Sequence, residues 1–146
     1  MSRNYSVRML GWADARDEAS RVRFAVFVEE QGVPVEIELD EWDAVSVHAI
    51  ATDSTGRAVA TGRLLPDGHI GRMAVLQEWR GRGVGAAILS ALLARAKERG
   101  VKRAILNAQT RARGFYALHG FTQHGAEFLE AGIPHVAMER CLDEDD

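Results

Sequence analysis

Cysteine is nearly absent from this chain. The one present, Cys141, can close no internal disulfide and cannot furnish a cysteine-based zinc cage. Without a disulfide framework, a reducing cytoplasm is the expected compartment. Basic residues are not in excess either: 18 Lys and Arg stand against 21 Asp and Glu, for a net charge of −3. General nucleic-acid binding runs on the opposite balance, so no nucleic-acid partner is expected. No apolar run approaches the ~20 residues of a membrane span. The most apolar stretch, residues 86–94, is short and broken by Ser90. Arg3, Arg8, Asp14 and Arg16 interrupt the N-terminus where a secretory signal would need an apolar core. No membrane partner is therefore expected. Repeats and low-complexity linkers are lacking, so residues 1–146 read as a single domain with a short acidic tail at 143–146. A chain of this size buries about two-thirds of its unfolded surface and needs no metal staple to fold. No two histidines fall at ligand spacing on one element, and no metal site is expected.

What the sequence does have is an alternation of strand and helix signals. Residues 5–10 read as a strand, and Asp14 as the cap of a helix over residues 15–29. Residues 35–45 are acidic and aperiodic and read as a loop that can hold a helical turn. Residues 47–52, 58–65 and 69–76 read as three strands separated by turn-forming clusters. Residues 86–99 form a helix with Ile88, Leu89, Leu92, Leu93 and Ala96 on one face, closed by Gly100. A strand follows within residues 101–109. A short helix capped by Thr110 comes next, then two last strands at 121–124 and 135–138. The fold class is α/β (α+β): a mixed, mostly antiparallel sheet with helices on both faces. The strand–helix–strand unit over residues 69–109 should be locally parallel, because a helical crossover joins parallel neighbours.

The most informative segment is Arg80-Gly81-Arg82-Gly83-Val84-Gly85, placed between a strand and the long helix. Glycine costs helix stability, so three glycines at one helix start imply that something must come close. The unpaired amides there, with the positive end of the helix dipole, form a site suited to phosphate. Arg80 and Arg82 add formal positive charge. A plain strand-to-helix turn that needs glycine is the bland alternative. A Walker loop is excluded, since no Gly-Lys-Ser/Thr follows. Gly81, Gly83 and Ala86 fit a loose dinucleotide pattern, but the next strand ends in Asn107-Ala108-Gln109, where that pattern requires an acid.

Together with a second block, this turn resembles the Gcn5-related N-acetyltransferase (GNAT) family. Arg80-x-x-Gly83-x-Gly85 is similar to the family's acetyl-CoA signature. Ala112, Phe115-Tyr116 and Gly120-Phe121 are similar to its second block, a short helix ending in Tyr-x-x-x-Gly-Phe. The runs 26–34 and 132–135, with Glu38-x-Asp40-x-x-Asp43 and Gly62-Arg63-Leu64, resemble the ElaA-like branch. The resemblance spans residues 15–138. It implies a sheet of six to seven strands whose fourth and fifth strands splay apart to admit the pantetheine arm of acetyl-CoA. It implies further that backbone groups at Met73, Ala74 and Val75 bind that arm and polarise the thioester. Amides from Arg80 or Gly81, through Arg82, Gly83, Val84 and Gly85 to Ala86, would hold the pyrophosphate. Tyr116 would protonate the leaving thiolate. Gln109 stands where the family often has Asn near the cofactor, and a shifted contact is expected. The resemblance also allows a homodimer.

The residue types suit direct acetyl transfer from acetyl-CoA to a primary amine of a small molecule or peptide. Direct transfer needs no covalent enzyme intermediate, and no nucleophile constellation is visible. Cys141 has no histidine partner in sequence and reads as inert. A phenol is protonated at neutral pH and fit to act as an acid. For the base or substrate contact the candidates are Glu30, Asp40, Asp43, His48 and His135. The acidic stretch suggests a cationic amine as acceptor. A CoA-binding regulatory module without turnover is the competing expectation.

Overall fold

In the computed structural model, residues 4–38 and 40–142 are described. The acidic tail at 143–146 lies outside the described residues. Seven strands form two sheets. β1 (Tyr5–Gly11), β2 (Val47–Asp53), β3 (Ala58–Leu64) and β4 (Ile70–Val75) make an antiparallel sheet in that order. β5 (Arg103–Gln109), β6 (Thr122–Glu130) and β7 (Ile133–Cys141) make a second antiparallel sheet with β7 in the middle.

Helices α1 (Trp12–Arg23) and α3 (Val84–Glu98) cover the two faces of the first sheet. β3 is buried along its whole length, and β2 nearly so, because each is sandwiched between those helices. Ile50, Val59 and Leu64 pack with Val22 of α1 and with Ile88, Leu89 and Leu92 of α3 in one core. Gly62 sets how closely α3 sits. A Cβ there would fall 2.9 Å from Ile88 Cγ2 and 3.0 Å from Leu92 Cδ1. Among the described residues no helix is long and apolar enough to cross a membrane.

The two sheets meet at one parallel bridge, His69 with Ile105, where the Ile105 amide donates to Gly68 O at 3.2 Å. This is the expected parallel step of the strand–helix–strand unit. Beyond it β4 and β5 diverge, and the outer edge of β4 faces an opening. β4 also carries a bulge. Thr61 opposes Ala74 and Arg63 opposes Gly71, so Arg72 and Met73 together face Gly62. Arg72 takes φ 49° at this point.

Several local expectations are corrected. Asp14 does not cap α1; Gly11 does, without a side-chain bond, and Asp14 lies in the first turn where the helix dipole favours an anion. The helix does not run evenly to Glu29 but widens to π geometry over Phe24–Glu30. Apolar periodicity cannot reveal such widening, which tertiary contacts at its far end hold in place. The helical turn allowed in the 35–45 loop is present, as a short helix α2 over Val35–Glu38 and a 3-10 turn over Glu41–Val45 capped by the Asp40 carboxylate. Thr110 does not cap α4 (Arg113–Leu118); its hydroxyl donates to Glu127 at 2.9 Å instead. β6 and β7 run on past their expected ends and meet in a two-residue turn, Ala131-Gly132, both at positive φ.

Candidate active site

The opening between β4 and β5 is the mouth of a cleft of about 980 Å3. Met73, Ala74 and Val75 of β4 form one wall, and Leu106, Asn107 and Gln109 of β5 the other. The start of α3, the α4 residues Phe115 and Tyr116, and Val26 and Phe27 of the π segment complete it. Met73 is presented by the bulge, and the edge of β4 that faces the cleft has no strand partner beyond the bridge at its base.

At one end of the cleft, Gly81 and Gly83 have φ 77° and 82°, and a Cβ at either would meet nothing within 4 Å. A left-handed Gly83 caps α3, and no side chain fills the cap. The first helical bond runs from the Ala87 amide to Gly83 O, at 3.1 Å. The amides of Val84, Gly85 and Ala86 therefore precede the helical ladder, with the dipole's positive end behind them. Gly85 is not left-handed. It admits the Phe115 ring and Val75 instead, each 3.7 Å from where its Cβ would be. The Val84 side chain is buried in the core. Arg82 is exposed and lies over Trp79, 4.6 Å from the ring centroid.

Arg80 differs from its expected role. Its amide donates to Gln77 O in the 3-10 turn of Gln77–Trp79. Its guanidinium makes two bonds to the Glu30 carboxylate, 2.6 and 2.7 Å, and a third to Val75 O, 3.0 Å. The Arg80 amide is therefore not available to an anion; the free amides begin after it.

Tyr116 packs edge-on against Phe115 and Phe121, with centroids 5.0 and 6.0 Å away. Its hydroxyl has no hydrogen-bond partner among the described residues, and burial pushes the phenol up to about 12. The residue lines the cleft as an uncharged donor. The amides that precede the helical ladder and the unpartnered phenol are hydrogen-bond donors open to a bound ligand.

Comparison with known proteins gives the family. The acetyltransferase (GNAT) domain profile matches residues 14–142. The N-acetyltransferase YjcF of Bacillus subtilis is 43% identical over 125 residues, covering 83% of this chain and 89% of that one. The crystal structure of Escherichia coli ElaA superposes with a TM-score of 0.82 at 28% identity, covering 92% of this chain and 99% of that one. An acyl-CoA N-acyltransferase from Pseudomonas aeruginosa gives 0.83 at 29%, covering 93% and 99%. The chain belongs to the GNAT acetyltransferase family.

The remaining candidates sit differently around this GNAT cleft. Glu30 is tied to Arg80, whose hydrogen bonds hold its carboxyl below the ordinary range and weaken it as a base. Asp43 is buried. Burial alone would raise its pKa, but Arg23 bonds both its oxygens at 2.8 and 3.0 Å and Arg63 one at 2.9 Å, and the net shift is downward. Asp40 is likewise lowered against its burial by Arg63, Arg72 and the Trp42 amide. Glu38, Asp40 and Asp43 thus face Arg23, Arg63 and Arg72 in one neutral cluster. Asp40 and Asp43 are not an open seat for a cation, because their charges are matched from within the chain.

His48 is 1% exposed, bonds Asp43 O through Nε2 at 3.0 Å, packs on Trp12, and lies outside the cleft. Gln109 is already committed. It donates to Gln31 Oε1 at 2.9 Å and accepts from Arg111 Nε at 3.1 Å, closing a strap from the π segment to β5. His135 alone among the histidine and carboxylate candidates lines the cleft. Glu130 and Asn107 line it too, and no sequence signal singled them out.

Proposed function

We propose that this GNAT enzyme transfers an acetyl group from acetyl-CoA to a primary amine of a small molecule or peptide, by direct attack of the amine on the thioester. The observation that carries the reading is the start of α3, capped by Gly83 with no side-chain bond and lining the same cleft as Tyr116. The amides of Gly81, Arg82, Gly83, Val84, Gly85 and Ala86 would bind the diphosphate. Backbone groups of Met73, Ala74 and Val75 on the unpaired edge of β4 would align the donor arm and polarise its carbonyl. The thioester supplies the electrophilic acyl carbon.

As the amine nitrogen bonds to that carbon, the carbon–sulfur bond breaks and charge builds on sulfur. Tyr116 donates its proton there. A phenol this hard to ionise parts with its proton only as one from the attacking nitrogen replaces it. Gln109, held by Gln31 and Arg111, acts in this reading by keeping the π segment against β5.

Calorimetry with acetyl-CoA tests the first half, and no binding at submillimolar concentration would remove it. Tyr116→Phe tests the second. It is expected to lower kcat about 100-fold with acetyl-CoA affinity unchanged. Unaltered turnover would take the acid role away from Tyr116. Thiol release from acetyl-CoA across a panel of amines separates the enzyme from a silent CoA-binding module.

A further inference from the structure

The β6–β7 turn brings together two side chains that are distant in character and close in space. Glu130 opposes Ile133 and Phe128 opposes His135 across the hairpin. The His135 ring stacks on Phe128, with centroids 6.1 Å apart. Its Nδ1 lies 2.7 Å from Ile133 O. A carbonyl only accepts, so Nδ1 carries the proton, and Nε2 of the neutral ring presents a lone pair. Nε2 is 3.9 Å from Glu130 Oε2, too far for a bond between them. The other oxygen of Glu130 accepts from Asn107 Nδ2 at 3.3 Å. Two acceptors at this spacing match one nitrogen that donates to both, since arms of about 2.8 Å close on it at roughly a right angle. A primary ammonium is such a donor.

The placement suits an acceptor. His135 is directly opposite Gln109 in register, and directly opposed residues project from the same face of a sheet. Gln109 reaches Gln31 at the end of the π segment, so His135 lies on the face where Val26 and Phe27 close the cleft. Tyr116 enters from α4, packed on Phe115, whose ring abuts the start of α3. The phenol and the imidazole thus belong to opposite faces of the opening.

We infer that Glu130 and His135 form the seat of the acceptor's ammonium group, Glu130 holding it and His135 Nε2 removing its first proton. The inference rests on the acetyl-transfer reading. An alkylammonium resembles that of lysine, with a pKa of about 10.4, so at pH 7 only about one molecule in 2,500 is the free nucleophile. His135 takes one proton and becomes imidazolium beside the Glu130 carboxylate. The nitrogen lone pair then attacks, the second proton refills Tyr116 as the phenol protonates sulfur, and His135 returns its proton to water. Other charged groups on the cleft are Arg111 in the turn after β5, Arg80 with its partner Glu30, and Glu38, Arg63 and Arg72 of the neutral cluster.

The test pairs a set of primary alkylamines, butylamine among them, with 4-methoxyaniline, which is already neutral at pH 7. His135→Gln is expected to cut kcat with the alkylamines about 100-fold or more and with the aniline only a few-fold. Glu130→Gln is expected to raise KM for butylamine about tenfold with kcat little changed. Both variants should retain acetyl-CoA affinity by calorimetry. Nitrogen-15 spectra of the wild type should show the Nδ1–H tautomer of His135, with Nε2 shifting when butylamine is added.

Equal losses for the two amine classes, an Nε2–H tautomer, or loss of acetyl-CoA binding in His135→Gln would each overturn the seat while leaving acetyl transfer intact. No amine-dependent thiol release by the wild type with any amine of the set would overturn acetyl transfer and the seat together.

Discussion

Beneath α1, three arginines meet three carboxylates, and every charge finds its opposite within the chain. At the start of α3, by contrast, no described side chain bonds the cap, and the exposed Arg82 beside it has no acidic partner among the described residues. Both regions looked like binding sites from composition alone: one acidic, one glycine- and arginine-rich. They differ in whether the fold supplies the counter-charge. Where it does, removing a partner strands a buried ion. Where it does not, an outside ligand has something to gain.

The largest effect expected from breaking this contrast is at Asp43. Asp43→Ala leaves Arg23 and Arg63 without their shared carboxylate and should cost about 3–5 kcal/mol of stability, read as a lowered denaturant midpoint. Were Asp43 a substrate contact instead, stability would barely change and KM would rise.

Gly83→Ala should cost about 1–2 kcal/mol from left-handed strain alone, since its Cβ meets nothing, and should weaken acetyl-CoA binding as the helix start readjusts. A variant as stable as the parent, with unaltered affinity, would show that the cap geometry is not needed.

The smallest effect is at His48, beside the cluster. Burial depresses its pKa from 6.5, only partly opposed by the bond to Asp43 O and the Asp43 charge. A depressed folded value means that its contribution is complete above pH 6.5 and is lost as pH falls toward that folded value, by at most about 1.4 kcal/mol per unit. His48→Gln, which can keep a bond to Asp43 O, should flatten the stability profile below pH 6.5. An unchanged slope there would mean that other groups carry the acid sensitivity.

Much of the fold was legible because its signals are local. Glycines at 81, 83 and 100 and the apolar stripe of residues 88–96 announce a helix between two strands, whatever surrounds them. The phenol at 116 was legible through its spacing to Gly120 and Phe121. The π widening at Phe24–Glu30 was not, because Phe24, Ala25, Val26, Phe27 and Val28 are apolar without a break and carry no period to read. The Ala131-Gly132 turn was hidden as well, since alanine rarely adopts a positive φ. With it were hidden the full lengths of β6 and β7, and Glu130.

The amino-acid sequence by itself determined that a glycine-rich helix start follows a strand and that a tyrosine comes on the next short helix. Both depend on neighbours within a few residues. Only the tertiary structure decided which charges are open. Asp40 and Asp43 are neutralised by arginines from β3, β4 and α1, while Glu130 and His135 are brought to the cleft by a hairpin. Electrostatic availability depends on what lies within a few ångströms in space, and that distance is set by packing rather than by order along the chain.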